Sequence, residues 1–110
     1  MDFAFSEENL QYREAAREFG ERYIQPFAHE WDVEGRFTTP IHQQLGEAGF
    51  LGLCIPQEYG GLGASYVTYA LVVEEINRAD TSVRTIMSVH NSLMASTLNE
   101  WASEEQKQRW

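Results

Sequence analysis

Residues 81–99, TSVRTIMSVHNSLMASTLN, carry one formal charge, Arg84, in nineteen positions. The rest of the chain is rich in acid, with 17 Asp plus Glu against 8 Lys plus Arg and a net charge of −9. A helix that loses its charges while its neighbours keep theirs is expected to be enclosed on most sides. An arginine inside such a helix needs an anion, a carboxylate or a water-filled hollow to face, because an unpaired buried charge is very costly. The stretch therefore reads as the wall of a cavity. Arg84 is the residue that could read what enters it.

The remaining patterns are helical too. Ser6 is an N-cap with Glu7 and Glu8 in the first turn, where negative charge favours the helix dipole. Tyr12, Ala16, Phe19, Tyr23, Phe27 and Trp31 then recur at spacings of four and three, one stripe of a long helix or helix pair. Pro26 should kink or divide it, and Gly35 ends it. Thr39-Pro40 reads as an N-cap followed by proline at the first helical position, with Ile41, Leu45 and Ala48 as a short apolar face and Gly49 as the stop. FLGLCIP and QEYGGLG follow. They read as extended chain crossing the helices, since no second strand candidate exists to pair with them.

Ser65 caps the next helix, with Tyr69, Val72, Ile76 and Ala79 as its stripe and Glu74, Glu75 and Arg78 on its wet side. Asp80 or Thr81 restarts a helix through about Asn99. Val83, Ile86, Met87, His90, Met94, Thr97 and Leu98 take one side of it; Arg84, Ser88, Asn91 and Ser92 take another, small and polar. Ser103-Glu104-Glu105-Gln106 is a capping box. A helix so well announced that stops at Trp110, about two turns on, reads as cut rather than finished. The expected fold is all-α, a bundle of about five or six helices in one domain over residues 1–110, a piece of a longer protein.

Composition narrows the function. An acidic chain (pI ≈ 4.6) disfavours nucleic acid and anionic membranes. No apolar run approaches the roughly 18–20 residues of a membrane span. Cys54 stands alone, so no intrachain disulfide forms, and the acidic N-terminus MDFAFSEENL is unlike a targeting segment. A cytoplasmic or mitochondrial-matrix setting follows as an expectation. His29 and His42 have no metal-ligand spacing, and HEWDV lacks the second histidine of a zinc helix, so no metal is expected. Gly60, Gly61 and Gly63 fit neither G-x-G-x-x-G nor a P-loop and read as a tight connection. His90 reads as a satisfied core or interface histidine, and Cys54 as a small hydrophobe.

Three stretches together resemble the N-terminal domain of the acyl-CoA dehydrogenases: GEAGFLGLCIPQEYGGLGASYVTYALVVEEINRADTSV at 46–83, MSVHNSL at 87–93 and EEQKQRW at 104–110. The likeness covers essentially the whole chain. It implies a helical domain followed, in the full-length enzyme, by a middle β-domain and a C-terminal helical domain. It further implies FAD, oxidation of the α,β bond of an acyl-CoA thioester, electron transfer to electron-transfer flavoprotein, and a tetramer. In that family the catalytic glutamate and most flavin contacts lie in the other two domains. No catalytic or cofactor-binding residue is therefore expected here, and residues 1–110 alone should be inactive and bind no flavin.

By the same match, Arg84, Thr85, Ser88, Val89, Asn91 and Leu93 are candidates to touch the acyl chain. The string RTIMSV resembles the glutaryl-CoA dehydrogenases, in which an arginine and a serine one turn later hold the distal carboxylate of a dicarboxylic thioester. Four positions span about 40° around a helix, so Arg84 and Ser88 can meet one carboxylate. The competing reading pairs Arg84 with an acid of a neighbouring helix or another domain. At the level of the whole protein, the rivals are a stand-alone helical interaction module, and an acyl-CoA oxidase or flavin monooxygenase of the same architecture.

Overall fold

A computed structural model describes residues 2–110, in which helices and turns are the sole regular structure. Five helical rods can be followed among the described residues. Helix α1 covers 7–34, α2 Ile41–Glu47, α3 Tyr66–Ala79, α4 81–101 and α5 Glu104–Arg109, with a single 3-10 turn at Gln57–Tyr59. Two of the rods change pitch. α1 passes through a π-helical segment at Gly20–Ile24, and α4 through one at His90–Ala95.

Most helix ends obey their local chemistry. The Ser6 hydroxyl accepts the Asn9 amide at 3.1 Å while the Asn9 side chain accepts the Ser6 N–H at 3.0 Å, a reciprocal cap. Ser65 accepts from Thr68 N–H, Asp80 from Val83 N–H, and Ser103 from Gln106 N–H. Gly35 closes α1 at φ +68°, a conformation that only glycine adopts without penalty. At Pro26 the helix continues, with a change of type just before it. The turn before it widens, so that Gln25 N–H reaches back five residues to Gly20 O, and the register change forced by the missing donor is absorbed there.

Other expectations fail for identifiable reasons. Helix α2 starts one residue late: Pro40 occupies the cap position without a side-chain bond, and the Thr39 hydroxyl finds no partner. Thr39 O instead accepts the Ile41 N–H at 2.8 Å, which fixes a tight turn before the helix. Ala48 is exposed. The segment after α2 is wound, not extended. Gly52 and Ile55 close successive turns, and the returning chain bonds back through Leu62 N–H to Gly52 O, Gly63 N–H to Ile55 O and Ala64 N–H to Leu53 O. A Cβ on Gly61 would overlap the Ile55 carbonyl, so this loop closes only around glycine.

The core joins Ala16, Phe19, Ile24 and Trp31 of α1 to Ile41 and Leu45 of α2, Val72 and Ile76 of α3, and Val83 and Met87 of α4. Phe50 and Leu53 plug it from the loop. α1 and α3 pack closely, and a Cβ on Gly20 would sit 3.0 Å from that of Ala79. Glu75, expected on the wet side of α3, is instead 7% exposed. Its carboxylate takes Arg17 of α1 at 3.1 and 3.3 Å, with Arg78 at 3.8 Å. A buried carboxylate needs such a partner.

Candidate functional site

The corner between α3 and α4 is made by one residue. Asp80 N–H ends α3 on Ile76 O, its side chain starts α4 on Val83 N–H, and its carbonyl accepts Arg84 N–H at 3.2 Å. The last turn of α3 therefore lies beside the first turn of α4. Between them runs an open groove of about 520 Å³ lined by Tyr69, Ala70, Val73, Glu74, Asn77, Arg84 and Ser88.

Arg84 and Ser88 face this groove together, as their four-residue spacing requires. Arg84 is half-buried, and its Nε donates to Asn77 Oδ1 at 3.1 Å. Among the described residues it forms no ion pair, so the reading in which a neighbouring helix neutralises it finds no support. The Ser88 hydroxyl donates to Thr85 O at 3.3 Å, which leaves its oxygen free to accept. Burial pushes the Tyr69 phenol above its ordinary pKa, while the Arg84 charge pulls part of the way back, so the two side chains share one field. Tyr69 stays a neutral donor near pH 7. Chemically the groove offers a guanidinium, two hydroxyls, the Asn77 amide and the Glu74 carboxylate beside the apolar Ala70 and Val73.

The other four candidates do not join them. Thr85 is exposed, and its hydroxyl is returned to Thr81 O at 3.0 Å. Val89 and Leu93, 47% and 68% exposed, stand outside the groove on the open flank of α4. Asn91 requires correction. It is 6% exposed, and its amide is wholly engaged: Oδ1 accepts Leu53 N–H at 3.1 Å, and Nδ2 donates to Phe50 O at 2.7 Å and Met87 O at 2.8 Å. A side chain so committed pins the loop to α4. The wider expectation that α4 is enclosed on most sides also fails within this chain, since Val89, Leu93, Met94 and Trp101 are all exposed.

A second hollow lies under the glycine loop and was not signalled by any motif. It measures about 260 Å³ and is bounded by Leu51, Ile55, His90, Met94, Leu98 and Lys107, among others. His90 Nδ1 sits 2.9 Å from Leu51 O, which can only accept, so Nδ1 carries a hydrogen and donates it. Tyr59 ties the loop's far end to α5 by donating to Glu104 Oε2 at 2.7 Å. That bond pushes the phenol pKa up to about 12 and lowers that of Glu104. The loop offers no cradle for a pyrophosphate: the amides of Gly60, Gly61 and Gly63 all donate to carbonyls of the loop itself. Among the described residues no three His, Cys, Asp or Glu side chains converge as a metal would require.

Residues 6–110 match the family described as acyl-CoA dehydrogenase, N-terminal domain. The chain is 37% identical over 110 residues to the short-chain specific acyl-CoA dehydrogenase of Clostridium acetobutylicum, covering 100% of this chain and 29% of that relative. It superposes on a chain from the structure of the electron transferring flavoprotein of Acidaminococcus fermentans with a TM-score of 0.95 at 35% identity, covering 100% of this chain and 29% of that one. It superposes on the glutaryl-coenzyme A dehydrogenase–glutaryl-CoA complex with a TM-score of 0.92 at 34% identity, again over 100% of this chain and 29% of the other. The chain thus spans a little under a third of the length of these relatives.

Proposed function

This chain belongs to the acyl-CoA dehydrogenase family, as its N-terminal domain, and on that premise we propose that it walls the acyl pocket of a longer FAD-dependent enzyme. The reaction proposed is oxidation of the α,β bond of an acyl-CoA thioester, with the acyl group glutaryl-like. Arg84 and Ser88 receive its distal carboxylate, Tyr69 donates from the same groove, and Ala70 and Val73 cover the methylenes. FAD, when bound, would supply the hydride acceptor; by the family's pattern its site and the catalytic base belong to the proposed remainder of the enzyme. Electron-transfer flavoprotein as acceptor, a tetrameric assembly, and a cytoplasmic or mitochondrial-matrix setting belong to the same proposal.

One observation carries the carboxylate reading: a half-buried guanidinium on a groove, held at Nε by a neutral amide and paired with no acid among the described residues. Guanidinium suits bidentate carboxylate binding better than any other side chain. The test is kcat/KM of the full-length Arg84→Ala enzyme on glutaryl-CoA against butyryl-CoA. Losing a charge-assisted pair should cost about 2–5 kcal/mol on the first substrate only, roughly 30-fold or more. An equal loss on both sinks the carboxylate reading and favours the short-chain specificity for which the Clostridium relative is named. Electron transfer to oxygen instead of flavoprotein would mark an oxidase or monooxygenase. A gene that stops at Trp110 would favour a stand-alone helical module.

A further inference from the structure

We draw no further inference here: the strongest candidate, the hollow beneath the glycine loop bounded by Leu51, Ile55, His90, Met94, Leu98 and Lys107, is an apolar face whose ammonium already lies over the Tyr59 ring beside Glu104, and nothing in the structure shows what covers it.

Discussion

Replacing Asn91 by leucine puts the packing of α4 to a direct test. The side chain is nearly isosteric, so the space stays filled and water is kept out, but three hydrogen bonds disappear. Met87 O keeps another donor, the His90 N–H at the start of the π segment. Leu53 N–H and Phe50 O, which meet Asn91 in the buried loop, keep none from this side chain. A buried polar group left unpaired costs about 1–3 kcal/mol. Two of them give about 2–6 kcal/mol, against a typical domain stability of about 5–15 kcal/mol. A domain of this size should lose roughly 10 °C or more in Tm. Thermal unfolding followed by circular dichroism reads the loss, and amide exchange locates it, since Leu53 should lose protection before the α1–α3 core does. The glutaryl-to-butyryl ratio of the full-length variant should stay put, because all three Asn91 bonds run to the protein's own backbone. A Tm within 2 °C of wild type, or a shift in that ratio without a loss of stability, would refute the structural assignment.

Two further outcomes follow from the loop. With the Tyr59 pKa raised to about 12, the Tyr59–Glu104 bond contributes stability that is complete below pH 10 and is lost as pH climbs through the folded value; the lowered Glu104 contributes above its ordinary value of 4.5 and is lost as pH falls. Tyr59 and Tyr69 should both titrate late in a spectrophotometric titration, and only the Tyr59 step should move back toward 10 in Glu104→Gln; an unchanged curve would count against the bond. Gly61→Ala, whose new methyl meets the Ile55 backbone carbonyl, should destabilise by more than about 2 kcal/mol. Gly60→Ala, at φ +88° with open space around it, should cost only about 1 kcal/mol of left-handed strain. Melts that reverse this order would show that the loop is not closed by contact at Gly61.

Local chemistry was readable and long-range chemistry was not. The caps at Ser6, Ser65 and Ser103, and the stop at Gly35, each depend on residues within four positions, and the sequence names them correctly; between Asp80 and Thr81, which it left open, the cap is Asp80. Arg84 and Ser88 fall on one groove because their spacing lies wholly in regular α-helix. Past Val89 the 3.6-residue period stops holding. Met94 and Thr97, read as part of the apolar side, are exposed, while Asn91, read as polar lining, is buried. Nothing in the composition of HNSLMA announces a wider turn. Glu75 was misread for another reason: its partner Arg17 lies 58 residues away, and a salt bridge between helices leaves no mark on either helix alone. The winding of residues 48–64 likewise depends on bonds such as Ala64 to Leu53, which join positions that no short motif connects.

The widened turn at His90–Ala95 lets one rod serve two hollows. One surplus residue in a helix advances its phase by about 100°, so the flank showing Arg84 and Ser88 is not the flank that continues as Met94 and Leu98. The carbonyl that such a bulge strands, Asn91 O, is taken by both the amide and the hydroxyl of Ser96. Sequence drift in the second half could therefore reshape the space beneath the glycine loop while the first half keeps its aim, much as a vernier separates two scales cut on a single bar.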